Sequence, residues 1–437
     1  MDIMVVLRTC SNSLLSRSDT SRICGNDREL LLRKCFFSLT RTILNSSHNI
    51  SLTVLDDNSD EKFIEFIKSF SAEIKTEIIR LSNRGPNYSA EQQFKTAAES
   101  NCLVYMVEDD YLHEENAIDY MVGAYLNFVK RYNKDTVIYP HDCSLRYTAG
   151  NESSTTLYHD GVRYWRDVDK TANTMLVHPL TIKSNWDVFK NLAKNYPKVL
   201  EDDTINKLYY NEENRNASIR AFSPIPSVAY HVGYSNPTSI ATTHMNWQDL
   251  WNRIEKWDLI QGWFYNPEYY LHLVNSLHSG STIVEIGAWR GKSTCCLAEM
   301  IKRSKKDIKL YSVDTWEGSD EKEHTNIINT LQTTLFDDFL SNLKFCDVEK
   351  LVKPIKMSSV LASLQFDDAS IDAVIIDGAH DYDSVKLDLV SWEQKIKPGG
   401  IITGDDYSES WPGVIKAVNE RYGSRVNTYK AFWYVNL

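Results

Sequence analysis

Three aspartates, Asp377, Asp405 and Asp406, stand just after two apolar runs, residues 371–376 and 401–403. If those runs are neighbouring strands, the three carboxylates converge and repel one another unless a cation neutralises them, and Mg2+ is the natural occupant. His380 follows close behind Asp377, and an imidazole, with an ordinary pKa of about 6.5, is suited to take a proton from a hydroxyl. A second acidic group, Glu108-Asp109-Asp110, ends the apolar run 102–107, and Asp56-Asp57 ends the run 51–55. Carboxylates held in this way suit Mg2+ or Mn2+ bridging a diphosphate. For an arbitrary acidic triplet the ordinary role is a solvated loop.

Both groups need strands to present them. Residues 282–286 are β-branched and apolar apart from Glu285; Gly287 and Gly291 let the backbone pass close to a ligand, and 293–301 has helical character. This Gly-x-x-x-Gly turn is neither the dinucleotide fingerprint nor a Walker loop. Strand 309–313 ends in Asp314, where a doubly wound sheet places an acid to hold ribose hydroxyls. Lys397-Pro-Gly-Gly400 turns into the strand 401–403. In the first half, strands at 3–7, 51–55, 77–81 and 102–107 alternate with helices, one of which Asp27 can cap, implying a parallel sheet with ligands at the carboxyl ends of its strands.

The 437 residues suit two or three domains. A net charge of −11 argues against a nucleic-acid surface. No apolar run approaches the roughly 18 residues that span a bilayer, and the N-terminus lacks the form of a signal peptide, so a cytoplasmic location is expected. The eight cysteines contain no Cys-x-x-Cys pair and read as reduced and packing. Oligomeric state is left open.

Val284-Glu-Ile-Gly287, Asp314-Thr-Trp-Glu-Gly318, Ile376-Asp-Gly-Ala-His380, Pro398-Gly-Gly400, Asp405-Asp-Tyr407 and Trp411-Pro-Gly-Val414 together resemble the class I S-adenosylmethionine-dependent methyltransferases. Within them the stretch is similar to the metal-dependent sugar O-methyltransferases of macrolide and aminocoumarin biosynthesis. The resemblance covers residues 262–437 and implies a Rossmann-like sheet with a cofactor held by Glu285, Gly287, Gly291, Asp314 and Ser358. It also implies Mg2+ on Asp377, Asp405 and Asp406, gripping two adjacent sugar hydroxyls. Some relatives place an Asp base where this chain has Ala379, so the base is expected to be His380, with Asp381 in reserve. The insertion 319–345 reads as a lid or as a surface helical pair.

Residues 1–233 resemble a GT-A glycosyltransferase, a Rossmann-like nucleotide-sugar fold. By that resemblance Asp57 would contact the nucleotide, UDP or GDP, Glu108 the sugar donor, and Asp110 with His231 the Mn2+ or Mg2+. Asp202 and Asp203 would supply the base that deprotonates a glycan acceptor. Helix capping explains 201–203 as well, and a lone His on an apolar strand is usually structural. Residues 234–261 read as a linker and lead-in helices, with aromatic residues at helical intervals to Tyr270 that suggest packing. The whole reads as an α/β, two-domain, glycan-building enzyme, similar to the capsid-glycan enzymes of large algal viruses. The alternative is a sugar or catechol O-methyltransferase with a non-catalytic glycan-binding module.

Overall fold

The structure is a computed structural model and describes residues 1–12, 27–70, 73–142, 156–195, 198–211, 214–232, 247–318, 322–329, 331 and 333–437. Two compact units result, Met1–Ile254 and Glu255–Leu437. Of the expected linker and lead-in 234–261, residues 234–246 lie outside the described residues.

The first unit opens with β1 (Asp2–Thr9), α1 (Arg28–Leu44), β2 (Asn49–Asp56), α2 (Glu61–Ser69), β3 (Thr76–Arg80), α3 (Pro86–Glu99) and β4 (Leu103–Glu108). Asp27 caps α1 by accepting from Leu30 N, as its position before the helix suggests. There follow β5 (Tyr111–His113), α4 (Ala117–Tyr132), β6 (Asp135–Ile138), β7 (Leu157–His159), β8 (Tyr164–Val168), β9 (Met175–Val177), α5 (Pro179–Ser184), α6 (Trp186–Asn195), β10 (Ile219–Ile225), β11 (Ala229–His231) and α7 (Trp247–Arg253). The sheet order is β3-β2-β1-β4-β9-β6-β10-β8-β7. Its first four strands are parallel, but β9 runs antiparallel to both β4 and β6. The sheet is therefore mixed, where strand–helix alternation led us to expect a parallel one. The stretch 169–177 supplies β9 to the interior of the sheet. Residues 201–208 form two 3-10 turns, Glu201–Asp203 and Ile205–Leu208, because Thr204 between them leaves helical geometry (φ −132, ψ −98).

The second unit comprises α8 (Pro267–Ser276), β12 (Thr282–Ile286), α9 (Lys292–Ser304), β13 (Lys309–Asp314), α10 (Lys322–Ile328), α11 (Leu335–Phe345), β14 (Val352–Lys356), α12 (Ser359–Ser363), β15 (Ile371–Ile376), α13 (Tyr382–Glu393), β16 (Ile396–Gly404), α14 (Pro412–Tyr422), β17 (Asn427–Tyr429) and β18 (Phe432–Asn436). Its order is β14-β13-β12-β15-β16-β18-β17, with parallel pairing as far as β16 and β18 antiparallel beside it. Lys397-Pro-Gly-Gly400 does not precede the last parallel strand but lies inside β16. The register shift opposite Ile371/Ala373 absorbs the irregularity, and Gly399 takes the positive φ of 82°. Ile260, expected in the lead-in, packs into the core of this unit with Tyr270, Ile283 and Phe339. So does α11, whose Leu335, Phe339 and Leu343 are buried there. That half of the insertion is core structure, since its apolar residues at i, i+4 and i+8 form one buried stripe.

Candidate functional site

In the first unit the carboxyl ends of β1, β2 and β4 bring acids and bases together. Glu108 pairs with Arg8, and Arg8 also donates to the Pro86 carbonyl at 3.3 Å. Asp109 accepts from Thr9 Oγ1 and Cys10 N, both at 2.9 Å, and lies 3.2 Å from Arg28. Asp110 meets His231 Nε2 at 3.1 Å. Burial raises Asp109 against the pull of Arg28. Burial would also raise Asp110, but the charge and hydrogen bond of His231 outweigh it and hold the carboxyl below its ordinary range. The reciprocal attraction raises His231 in spite of its burial.

Asp57 accepts from Gly85 N through both oxygens, at 3.1 and 3.0 Å, so in this structure it fixes the loop before α3. Asp203 is exposed, and the side chain of Asp202 is outside the described set. Glu201, in the stretch 201–203 weighed above, accepts from Asn173 at 3.4 Å, and the adjacent Thr174 accepts from Glu108 N at 3.2 Å. Arg8 and Arg28 were missed. Their signal was available, because buried acids at strand ends need cations.

In the second unit the turn after β12 is packed against the end of β15. Gly287 has φ 85°, and a Cβ there would collide with the Asp377 carbonyl oxygen, so only glycine fits. Asp314, at the end of β13, ties the turn down: its Oδ2 accepts from Ala288 N at 2.8 Å and Trp289 N at 2.9 Å, and its Oδ1 from Trp316 N at 2.7 Å. Arg290 donates to Asp338 of α11 at 2.7 Å, and a Cβ on Gly291 would press on the Phe339 ring at 2.9 Å. Ser358 is exposed at the N-terminus of α12. Glu285, expected to touch the cofactor, is fully buried under the turn. It accepts from Thr294, from Ser312 at 3.3 Å and from Tyr270 at 3.4 Å, because a strand residue two before the turn points into the sheet's packed face. Burial lifts its carboxyl to about 7 in spite of these bonds.

Asp377, His380 and Asp406 bring one donor atom each to within 4.8 Å of one another, and they are the only group of three or more such residues gathered so among the described residues. His380 Nε2 lies 2.8 Å from Asp406 Oδ2, and its ring packs on Trp411 with centroids 4.2 Å apart. Asp406 has φ 61°, an uncommon backbone state that aims the side chain. Asp405 Oδ1 accepts from Asp406 N at 2.8 Å. Desolvation, with the Asp405 and Asp406 carboxylates, pushes Asp377 well above the usual carboxylate range. Desolvation and Asp406 likewise raise Asp405 to about 6, against that backbone bond and the pull of His380. Crowded, dehydrated carboxylates beside an imidazole are a donor set that a divalent cation fits.

Residues 284–407 match the family model described as Methyltransferase domain. The second unit carries a methyltransferase domain. A curated relative, an uncharacterized protein y4gI of Sinorhizobium fredii, is 24% identical over 144 residues, which is 33% of this chain and 15% of the relative's length. The chain therefore spans only that 15% of the curated relative it matches. Among solved structures, the O-methyltransferase NovP is 18% identical with a TM-score of 0.30, covering 39% of this chain and 78% of that one. An O-methyltransferase from Bacillus cereus in complex with SAH is 16% identical with a TM-score of 0.29, covering 39% and 80%.

In the methyltransferase domain the matched stretch runs from the turn to the Asp405-Asp406 pair, so the family match spans the donor group just described. Two features of the domain are not legible in the sequence. One is the clamp between Arg290 and Asp338, 48 positions apart; the other is the tilted packing of His380 on Trp411. Nothing in local periodicity announces a contact of that separation.

Proposed function

We propose that the second unit is an S-adenosylmethionine-dependent O-methyltransferase acting on one of two adjacent hydroxyls of a sugar. The observation that carries this reading is the Asp377–His380–Asp406 group at the strand end beside the Gly287 turn. The turn offers backbone to the methionine end of the cofactor. Asp314 spends three accepted bonds on its own loop, and a carboxylate has about four lone-pair sites, which leaves room for a ribose hydroxyl. Asp377 and Asp406, with Asp405 behind them, would hold Mg2+, a Lewis acid that polarises a bound hydroxyl. His380 takes the hydroxyl proton, and its contact with Asp406 orients the imidazole and stabilises the imidazolium that forms. The methyl donor carries its own leaving group, so alignment and proton removal are what the chain must supply.

For the first unit we infer a nucleotide-sugar glycosyltransferase. What supports it is the convergence of Asp57, Glu108 and the Asp110–His231 pair at the carboxyl ends of parallel strands, where such folds bind ligands. Together the units would build and decorate a glycan. Among the described residues no helix is long and apolar enough to cross a membrane.

The test is methyl transfer from labelled S-adenosylmethionine to a panel of free sugars, nucleotide-sugars and catechols, with Mg2+ or EDTA. Mg2+-dependent labelling of sugars is expected. Labelling of catechols alone would overturn the sugar assignment. For the first unit, Mn2+-dependent release of UDP or GDP from nucleotide-sugars should vanish in Asp110→Ala while methylation persists. Release that is unaffected by that substitution would overturn the glycosyltransferase reading.

A further inference from the structure

Most of the aromatic residues between 247 and 270 are packed, as expected: Trp247, Trp251, Phe264, Tyr269 and Tyr270 are buried. Trp263 and Tyr265 are not. Trp263 is 39% exposed and is the only tryptophan among the described residues to stand that far into solvent, and Tyr265 is 59% exposed. Both belong to a segment fastened to the cofactor turn. Trp289 of that turn donates from Nε1 to Gln261 at 3.2 Å, and Lys292 at the start of α9 donates to the Gly262 carbonyl at 3.2 Å while its amine lies 6.0 Å from the Tyr265 ring centre.

The rings are ordered as a surface. Trp263 and Trp289 lie with centroids 5.9 Å apart at 38°. His324 stacks on both, at 4.9 Å and 29° from Trp263 and at 4.2 Å and 25° from Trp289. Trp289 holds a positive φ of 49°, a strained state for a bulky residue that is tolerated where a site demands it. Two residues before it, Gly287 touches the strand end that bears Asp377. An exposed indole stacked on an imidazole, and two residues on an exposed phenol with an amine 6.0 Å from its ring centre, present flat apolar surface with polar edges. That chemistry fits the apolar face and hydroxyl rim of a pyranose. It does not fit a polyanion, given the acidic chain.

We propose that Trp263 and Tyr265 form a second sugar subsite of the methyltransferase domain, which binds the pyranose next to the one methylated, so that oligosaccharides are preferred to monosaccharides. The inference rests on the sugar reading above. The experiment uses the full chain with methyl glycosides and their di- and trisaccharide homologues, measuring KM and kcat for each, with S-adenosylmethionine affinity measured separately. In the wild type the KM should fall as the acceptor lengthens by one ring. Trp263→Ala should raise the KM for the longer acceptors by about 3- to 10-fold, leave the affinity for S-adenosylmethionine within about 2-fold and remove the length preference. Trp263→Phe should restore much of it. Tyr265→Ala, at a more exposed position, gives a second arm that does not threaten folding. Quenching of tryptophan fluorescence by a trisaccharide without cofactor, lost in Trp263→Ala, reads the same subsite without catalysis. Equal KM values for one- and three-ring acceptors, or equal effects of Trp263→Ala on both, would overturn the subsite while the sugar reading stands. Methylation of catechols alone would remove both.

Discussion

The two units place acids at the carboxyl ends of parallel strands and then treat them in opposite ways. In the first unit Glu108 has Arg8, Asp109 has Arg28 and Asp110 has His231. In the second, Asp377, Asp405 and Asp406 face one another with a single imidazole among them. Balanced charges hold Asp110 ionised, whereas crowded ones push Asp377 and Asp405 towards protonation. The difference is one between acids that each have a cationic side chain beside them and acids that crowd one another with one imidazole among them.

The strongest way to break this comparison is at Asp377. Asp377→Asn should lower methyl transfer at least about 100-fold, and it should raise the melting temperature of the cation-free protein by relieving repulsion. Mg2+ should stabilise the wild type and not the variant, by mass action. A thermal-shift titration with Mg2+ and EDTA checks both, and a variant that melts lower without cation would show that crowding is not the governing feature.

Next in size is Glu285, a buried acid of the second unit with no cation beside it. Its folded pKa of about 7 lies above its ordinary 4.5. The folded chain therefore keeps a proton that the unfolded chain loses, and the stability this contributes is full below about 4.5 and lost as pH rises through 7. The change is roughly 3 kcal/mol. Urea midpoints between pH 5 and 8 should fall accordingly in the wild type, and Glu285→Gln should flatten that slope.

In the first unit, Arg28→Ala strands the half-buried Asp109 without its cation. It should cost about 2–3 kcal/mol in urea unfolding, with Asp109→Asn in the same chain restoring part of the loss. The smallest effect is expected at Asp338. Asp338→Asn loosens Arg290 and with it the turn, and should weaken S-adenosylmethionine binding about 10-fold in calorimetry without altering the Mg2+ response.

These contrasts mark what was legible in the chain. Apolar runs that end in acids located β2, β4, β13, β15 and β16, since a strand buried on both faces shows as an unbroken apolar run. The glycines of the turn after β12 were readable from equally local pattern. The antiparallel β9, by contrast, is three residues long, and no pattern in three residues sets direction. Glu285 was expected at the ligand along with its motif neighbours; that its side chain turns beneath the sheet depends on strand parity and on Tyr270 and Ser312, which sit far away in sequence. Arg8 with Glu108, separated by 100 positions, and Arg290 with Asp338 are long-range pairings that periodicity does not encode.

One contact has a thermodynamic corollary. Gly287 and the Asp377 carbonyl occupy adjoining space with no room for a methyl group between them, so the turn after β12 and the end of β15 are in direct backbone contact. Were a cation to bind the aspartates and a ligand the turn, any coupling between them would be reciprocal: each would change the other's affinity by the same factor. A single missing Cβ thus joins the two strand ends in the fold.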